Sequence, residues 1–339
     1  MQKKYDVYAV GNALVDIEYQ VSDDFLSQWQ IDKGVMTLVE AERQIGVIAE
    51  LAKSPSEKAC GGSAANSIMA IQRFGGQTFY SCKVANDELG DFYRQDLMGA
   101  GVDTNLSENR PDGVTGTCLV LVTPDAERTL NTYLGITETV SDTELDPQAI
   151  ANAQYLYLEG YLAGSETGRM TAVIAAGIAR EQGVKVALTF SDPNIVQFCR
   201  AGLEDMVGSG VDLLFCNEKE ALMWADTEDL ESAKAELKLF AKTVVITLGS
   251  RGAWIGHQEG EVMIQAYPVK AVDTNGAGDM FAGAFMYGIT NGLSLAQAGD
   301  LASRSAAQLV TEFGPRLSQA AHQALLKEVV SGELASAEA

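Results

Sequence analysis

A glycine-rich turn, Val272-Asp-Thr-Asn-Gly-Ala-Gly-Asp-Met-Phe281, constrains the fold of this 339-residue chain more than any other stretch. Apolar residues follow it at helical spacing, among them Phe281, Phe285 and Ile289. This spacing predicts an amphipathic helix that begins at the end of the turn and buries one face. Two glycines let the backbone take conformations that other residues avoid, so the chain can pass from turn to helix within a few residues.

The start of this helix is also a candidate anion site. The backbone N–H groups of Gly276, Ala277 and Gly278 would lack partners within the helix and would lie at the positive end of its dipole. They therefore suit a phosphate, or the charge that develops on one during transfer. Asp279 follows in the first helical turn, where its carboxylate can take a proton from a nearby hydroxyl. Taken alone, the motif more often means a tight turn with a capping aspartate, since short glycine motifs are common.

Composition excludes several classes of function. Hydrophobic residues make up 47% of the chain and charged residues 21%, which is typical of a globular protein rather than a disordered one. The formal net charge is −22. An acidic surface of this kind repels phosphate backbones and anionic lipids, so we expect neither nucleic acid nor a membrane as partner. The length allows one large α/β domain with an insertion, or two domains.

The cysteines and histidines suggest no metal site. The five cysteines are scattered without a C-x-x-C pair, which predicts reduced thiols. The only two histidines, His257 and His322, have no partner at a spacing typical of a metal site or a catalytic triad, and we expect both at the surface. No apolar run reaches the roughly 20 residues that span a bilayer, and the N-terminus has no signal-peptide core. The expected location is the cytoplasm.

The chain divides into two patterns. Short predicted strands at 17–21 and 35–39, and a predicted hairpin formed by 113–124 and 128–134, have little helix between them and indicate a separate β-layer or lid. From about residue 153, strands and helices alternate in units of about 30 residues, which predicts a parallel sheet covered on both faces.

Two further motifs have both a purely structural and a functional interpretation. Gly61-Gly62 forms a turn before a predicted helix that contains Asn66 and ends near Arg73, and punctuation of a helix explains this pattern equally well. Asn217-Glu-Lys-Glu220 directly follows a predicted buried strand at 211–216. Ligands of open α/β sheets gather at the carboxyl ends of strands, which favours a function, although charge at an exposed helix start is common.

Together these motifs resemble those of the PfkB carbohydrate kinase family, which includes ribokinase and adenosine kinase. In family order they are Gly-Gly-x-x-x-Asn at 61–66, Asn-x-x-Glu at 217–220, Thr-Leu-Gly at 247–249 and Asp-Thr-x-Gly-Ala-Gly-Asp at 273–279. The resemblance implies a ribokinase-like three-layer α/β/α core with a mostly parallel central sheet and a small β-sheet lid. It also implies a single kinase domain over 1–339, in which segments at about 12–40 and 112–135 form the lid.

The resemblance further implies roles for individual residues. Asp279 would be the catalytic base, and the amides of Gly276, Ala277 and Gly278 would form the anion hole. The residues expected to contact the substrate are Asp16, Gly61, Gly62, Asn66 and Arg128. The residues expected to contact ATP are Asn217, Thr247, Gly249, Gly252 and Ser303, the last at a position where ribokinase-like members often have Asn. Glu220 would order Mg²⁺ through water, and Asp273 is a candidate ligand of a monovalent cation such as K⁺.

The expected reaction is in-line transfer of the γ-phosphate of ATP to a primary hydroxyl. The stretches Gly11-Asn-Ala-Leu-Val-Asp-Ile17, Asn131-Thr-Tyr-Leu-Gly135 and Glu159-Gly-Tyr-Leu162 look most like bacterial adenosine kinase-like members, so the first expectation is a nucleoside substrate. A sugar kinase acting on ribose, fructose or a keto-deoxy sugar acid is the alternative, and a non-catalytic nucleoside or sugar sensor is a third. The sequence does not choose between a monomer and a homodimer paired through the lid.

Overall fold

The computed structural model describes residues 3–52, 54–125 and 127–337, apart from the side chains of residues 57 and 331–337. In these residues the strands are β1 (Tyr5–Val10), β2 (Leu14–Gln20), β3 (Met36–Leu38), β4 (Ser56–Gly61), β5 (Thr78–Ser81), β6 (Asp103–Thr104), β7 (Gly116–Val122), β8 (Arg128–Tyr133), β9 (Ala153–Glu159), β10 (Lys185–Thr189), β11 (Val211–Asn217), β12 (Ala241–Thr247), β13 (Ala253–His257) and β14 (Gly260–Ile264). The α-helices are α1 (Asp23–Gln28), α2 (Ala41–Leu51), α3 (Ser63–Phe74), α4 (Glu88–Ala100), α5 (Pro147–Ala151), α6 (Glu166–Glu181), α7 (Pro193–Phe198), α8 (Arg200–Val207), α9 (Glu218–Trp224), α10 (Leu230–Leu237), α11 (Ala277–Thr290), α12 (Leu295–Leu309) and α13 (Gln319–Ala337). Short 3₁₀ helices cover Gly135–Thr139, Asp142–Glu144, Gly160–Gly164 and Gly249–Arg251.

The larger sheet has the strand order β14-β13-β12-β11-β10-β9-β1-β5-β6. The strands from β12 to β6 pair in parallel, and β13 and β14 add an antiparallel edge. In the middle of the sheet, Val7 lies between Thr78 on β5 and Tyr155 on β9. Parallel neighbours need crossover connections, and helices supply most of them here. The predicted mostly parallel sheet is therefore confirmed.

Helices cover both faces of this sheet. Successive residues of a strand point to opposite faces, so Val7 and Ala9 belong to one apolar cluster and Tyr8 and Val10 to the other. The helices α3, α11 and α12 supply the first cluster, and α6, α8 and α10 supply the second. This burial on both faces explains why the strands are almost continuously apolar. It also confirms the predicted three layers.

Helices α3 and α11 lie unusually close together. A side-chain carbon at Gly283 of α11 would lie 2.5 Å from the carbonyl oxygen of Ser67 and 2.8 Å from the methyl of Ala70, both on α3. Only glycine fits there, and the burial of Phe281 and Phe285 on the same helix stabilises the contact. The first turns of α3 and α11, which carry the candidate site residues, are brought together as a result.

The smaller sheet has the order β3-β8-β7-β2-β4. Asp16 on β2 lies between Ala59 on β4 and Cys118 on β7. The face away from Asp16 is apolar, and Leu119 and Leu121 share a buried cluster with Val47 and Leu51 of α2. Strands β2, β3, β7 and β8 fall within the segments predicted for a lid, whereas β4 and α2 were not predicted. Both have a mixed polar and apolar sequence whose burial comes from the neighbouring strands.

The prediction for the cysteines is confirmed, whereas the prediction for one of the two histidines is wrong. All five cysteines are free thiols, as predicted. His322 was expected at the surface, and that expectation is wrong, because its side chain is 0% exposed. One ring nitrogen, Nδ1, lies 2.8 Å from the carbonyl oxygen of Ser318, and the ring meets Phe74 of α3 edge-on with centroids 4.6 Å apart. His257 is half-buried.

We predict that the buried His322 makes the protein less stable as the pH is lowered. Burial lowers the pKa of His322 to about 4, below the value of about 6.5 in an unfolded chain. Between these values the unfolded chain binds more protons, so stability is lost as pH falls through this window. Wild type should therefore lose about 2 kcal/mol of unfolding free energy between pH 7 and pH 5 that His322→Leu does not lose. Urea denaturation at both pH values measures this.

The matched control is His257→Leu, which replaces the half-buried histidine and should give no comparable gain. If the difference between His322→Leu and wild type is the same at pH 7 and pH 5, the buried neutral imidazole is not the cause.

Candidate active site

A cavity of about 470 Å³ opens between the two sheets. The carboxyl ends of the central strands and the glycine turn before α11 form its floor, and the face of the smaller sheet that carries Asp16 forms its roof. This is the edge at which ligands bind in open α/β sheets. The sequence motifs at 61–66, 217–220, 247–249 and 273–279 all contribute residues to its wall or to the strands and turns beside it.

Asp279 lies at the wall of this cavity, at the point where α3 and α11 meet. Its carboxylate accepts hydrogen bonds from the hydroxyl of Ser63 at 2.6 Å and from the side-chain amide of Asn66 at 3.0 Å. Burial raises the pKa of Asp279 to about 6, and the two hydrogen bonds and the charge of Arg316 oppose this rise. The carboxylate is thus ionised at neutral pH yet binds a proton more readily than an exposed aspartate.

The glycine turn has the conformation that the sequence predicted. Gly276 caps α11 with φ of +73°, and a side-chain carbon there would lie 2.7 Å from the ring of Pro315. Gly278 is open, with no atom within 4 Å of the corresponding position. The N–H of Ala277 donates to the carbonyl oxygen of Thr274 at 3.3 Å, a long bond that closes the turn. All three residues line the cavity.

Two residues expected to bind ligands are bound to each other. The guanidinium of Arg128 lies 3.1 Å from the carboxylate of Asp273 and 3.0 Å from that of Glu18. Asp273 also accepts from the backbone N–H groups of Asn275 and Gly314. A protein cation therefore occupies the carboxylate that sequence assigned to a monovalent cation, and the pair connects the smaller sheet to the loop before the glycine turn.

Two more acids face the cavity. Burial raises the pKa of Asp16 to about 7, against the opposing charges of Arg316 and Arg128. Asp16 lies against Gly61, where any larger residue would overlap its carboxylate. The second acid is Glu159, which ends β9 and is 0% exposed.

Sequence analysis did not identify Glu159 as a site residue. Its carboxylate accepts from the backbone N–H of Asn12 at 2.6 Å and of Ala64 at 2.8 Å. Asn12 lies in the connection from β1 to β2, and Ala64 follows β4, so one carboxylate holds both connections between the sheets. Burial raises the pKa of Glu159 to about 7. The available signal was a glutamate at the end of an otherwise buried apolar strand.

Asn217 and Glu220 cap helix α9 reciprocally at the other end of the cavity. Asn217 accepts from the N–H of Glu220 at 2.8 Å, and the Glu220 carboxylate accepts from the backbone and side-chain amides of Asn217 at 2.9 and 2.6 Å. Both residues line the cavity, as does Thr247. Burial raises the pKa of Glu220 to about 7.

The other residues expected to contact ATP lie outside the wall of this cavity. Gly249 and Gly252 form the turn between β12 and β13, with φ of +58° and +91°. Ser303 is buried in α12 and donates to the carbonyl oxygen of Gln265 at 2.8 Å. Their expected role therefore has no support from the cavity itself.

A carboxylate beside a glycine turn at a helix start, at the edge of a parallel sheet, is the arrangement expected of a phosphotransferase that acts on hydroxyl groups. Residues 32–321 match the family model described as pfkB family carbohydrate kinase. The chain belongs to this family.

Among the described residues, no helix is both long and apolar enough to cross a bilayer.

Similar proteins include kinases for nucleosides and for sugars. The chain is 28% identical to the adenosine kinase of Saccharomyces cerevisiae over 331 residues, which cover 90% of this chain and 95% of that protein. It is 28% identical to a ribokinase of Staphylococcus aureus over 267 residues, covering 76% and 84%. The crystal structure of the adenosine kinase from Sinorhizobium meliloti matches with a TM-score of 0.85 and 34% identity, covering 95% of this chain and 99% of that one. The substrate class is therefore a sugar or a nucleoside.

Kinases of this family use ATP, typically with Mg²⁺. The described residues contain no group of three or more His, Cys, Asp or Glu side chains arranged to hold a metal ion. Magnesium in kinases is usually held by one or two carboxylates, phosphates and water, so a large cluster is not required. Glu220 fits this role, because its buried carboxylate faces the cavity and pairs with no lysine or arginine in the described part of the chain.

We predict that two glycines of the turn differ sharply in their tolerance of alanine. Gly276→Ala places a side chain at positive φ and against Pro315, so it should lower the free energy of unfolding by about 1–3 kcal/mol. Gly278→Ala meets open space and should change stability by less than about 0.5 kcal/mol. Thermal or urea unfolding of both variants measures this. Equal effects at the two positions would contradict the conformational role of Gly276.

Proposed function

We propose that this protein is an ATP-dependent nucleoside kinase that phosphorylates the primary hydroxyl of an adenosine-like substrate, with Asp279 as general base. The observation that carries the nucleoside assignment is the apolar roof of the cavity. The roof residues are Leu14, Met36, Leu38, Leu130 and Leu134. A nucleobase presents two large apolar faces that need such a surface, whereas a free sugar presents hydroxyls on every side.

The opposite wall supports the same assignment. Tyr161 lines the cavity, and within the described residues its hydroxyl has no hydrogen-bond partner. An aromatic ring with a free hydroxyl can stack on a base and also bind one of its polar atoms. Nearer to Asp279, the cavity becomes polar, with Asp16, Gly62 and Asn66 at its wall. A carboxylate only accepts hydrogen bonds, so Asp16 suits two neighbouring ribose hydroxyls.

The proposed reaction transfers one phosphoryl group. Asp279 removes the proton of the primary hydroxyl, whose oxygen attacks the γ-phosphorus of ATP while the bond to the β-phosphate oxygen breaks and ADP leaves. The turn at 276–278 and the start of α11 present positive charge to the group in transit. Asn217, Thr247, Gly249, Gly252 and Ser303 are the proposed contacts of ATP. Mg²⁺, held through water at Glu220, would neutralise phosphate charge.

The smaller sheet is proposed to be the lid of a single kinase domain. Its inner face roofs the cavity, so closure over the acceptor would exclude water and suppress hydrolysis of ATP. Its outer face packs on α2, so it has no bare sheet to pair with a second copy, and we favour a monomer. A cation such as K⁺ at Asp273 would have to displace Arg128.

The decisive test measures ADP release with Mg²⁺-ATP against adenosine, inosine, guanosine, ribose, fructose and keto-deoxygluconate. We predict turnover with a nucleoside, and a loss of at least about a thousandfold in Asp279→Asn, because the base is removed. Since the base must be ionised and the pKa of Asp279 is about 6, kcat/KM should fall about tenfold per pH unit below that value. Asp205→Asn, in an ion pair on the surface of α8, is the matched control.

Each other outcome points elsewhere. Turnover with a free sugar alone would support the sugar kinase, which the similarity to a ribokinase favours. Tight nucleoside binding without ADP release by the folded protein would support the sensor. Near-normal turnover by Asp279→Asn would reject Asp279 as the base.

We also predict that the roof determines acceptor affinity. Leu130→Ser removes apolar contact with the base and should raise the KM for the nucleoside about tenfold or more, with little change in kcat. Leu239→Ser at an exposed position is the control. An unchanged KM for the nucleoside in Leu130→Ser would mean that the base binds elsewhere.

A further inference from the structure

Arg316 joins three parts of the protein directly behind the candidate base. It lies between α12 and α13, and its side chain is 11% exposed. Its Nε donates to the side-chain oxygen of Asn66 on α3 at 2.9 Å, and Nη1 donates to the carboxylate of Asp96 on α4 at 2.7 Å. Sequence analysis assigned it no role.

The chemistry of this contact fixes the orientation of Asn66. A guanidinium only donates hydrogen bonds and a carboxylate only accepts them. The Asn66 side chain lies between the two, so its oxygen must face Arg316 and its amino group must face Asp279, as observed. Without Arg316 the amide could turn over, and its oxygen would then meet the carboxylate of Asp279 in a repulsive contact.

Arg316 is also the cation that acts on Asp279. The other groups that face this carboxylate are neutral donors or like charges: Ser63 and Asn66 on α3, Asp16 on β2, Glu159 at the end of β9, and the phenols Tyr157 and Tyr161. The charge of Arg316 lowers the pKa of Asp279 and of Asp16, against the effect of burial. One guanidinium thus acts on two acids of the cavity, and on Asp16 it acts together with Arg128.

A purely structural role would leave one observation unexplained. The Nη2 of Arg316 is buried and has no hydrogen-bond partner in the described residues. A buried donor without a partner is destabilising, and a neutral side chain of similar shape would avoid that cost. The presence of a charged group at this position is therefore better explained by its effect on the neighbouring acids.

We propose that Arg316 is a positioning residue for phosphoryl transfer, which orients the Asp279 carboxylate through Asn66 and supplies the positive charge behind it. The proposal rests on the role of Asp279 as base. Arg316 does not itself line the cavity and touches no reacting atom, so its effect reaches the reaction through the residues in front of it, Asn66 and Asp279.

The chain provides a matched control in Arg110. This arginine is also buried, and it pairs with Asp91 on the same helix α4 that carries Asp96. Its remaining hydrogen bonds go to the carbonyl oxygens of Ala85 and Ser107, at 3.0 and 2.8 Å. Loss of either guanidinium removes an ion pair between a buried arginine and α4, but only Arg316 also contacts Asn66.

The test is the pH profile of kcat/KM, with the acceptor that gives the fastest ADP release in the panel above. We call the part of this profile in which kcat/KM falls toward acid pH the acid limb. Arg316→Gln should move the midpoint of the acid limb to higher pH by about one unit, because removal of a nearby cation favours the protonated carboxyl. The kcat/KM at pH 6 should then fall about fivefold, and the KM for ATP should stay within about twofold. Arg316→Lys should keep the limb near that of wild type. Arg110→Gln should not move the limb, even if it lowers the Tm.

A second variant separates charge from packing. Asp96→Asn removes the negative charge on the far side of Arg316, so the positive charge acts more strongly on Asp279 and the acid limb should move to lower pH. If Asp96→Asn and Arg316→Gln both move the limb upward, the cause is a disturbed contact with α4, and the proposal is rejected. An unmoved limb in Arg316→Gln, or an equal shift in Arg110→Gln, also rejects it.

A measurement without substrate distinguishes failure of this inference from failure of the proposed function. In protein labelled with ¹³C at the aspartate carboxyl carbons, the signal absent from Asp279→Asn identifies Asp279. Its titration midpoint should rise in Arg316→Gln and fall in Asp96→Asn. If Asp279→Asn keeps its turnover, the proposed function fails whatever this midpoint does. If Asp279→Asn is inactive but the midpoint is the same in all variants, only the role of Arg316 fails. Should Arg316→Gln not fold, Asp96→Asn carries the test, because it is also expected to move the midpoint and leaves Arg316 in place.

Discussion

The close contact between α3 and α11 is the constraint on which the site depends. Gly283 lets the two helices approach until Ser63 and Asn66 reach the carboxylate of Asp279, 213 residues away from Asn66 in sequence. A buried carboxylate is costly unless it is hydrogen-bonded, and these two donors offset part of that cost. Both donors are neutral groups, so they leave the charge of the carboxylate in place. The carboxylate is therefore ionised and can accept a proton. The geometry of the helix pair and the basicity of the site thus have the same origin.

Electrostatics around the cavity explain how so acidic a protein can handle a nucleotide. Asp16, Glu159, Glu220 and Asp279 are all enclosed, and burial raises the pKa of each. Carboxylates attract hydroxyl groups and cations, so these acids favour a polyhydroxyl acceptor and a metal-bound nucleotide over a bare anion. In the proposed reaction, phosphate oxygens meet the start of α11 at the turn 276–278, where the helix dipole is positive. A net charge of −22 is therefore compatible with a site for phosphoryl transfer.

Sequence was informative where structure is local and poor where it depends on distant packing. The turn at 273–279 and helix α11 could be predicted, because glycine and helical periodicity act within a few residues. The contact between Asn66 and Asp279 and the position of Arg316 could not, since three separate segments form them. His322 was misplaced for the same reason: a lone histidine carries no sign of the helix that will cover it. The ATP contacts expected from family resemblance stay predictions at Gly249, Gly252 and Ser303, which lie away from the cavity wall.

The smaller sheet is attached to the core in two different ways, and this difference bears on catalysis. Near its base, the buried carboxylate of Glu159 accepts hydrogen bonds from the backbone on both sides of the sheet, at Asn12 and Ala64. On β8, Arg128 reaches Asp273, two residues before the loop becomes the turn that ends in Asp279. The first attachment joins two backbone N–H groups to one carboxylate that is 0% exposed, whereas the second is one ion pair between side chains. In the proposed reaction, the roof over the acceptor and the turn that faces the phosphate are consequently coupled through Arg128.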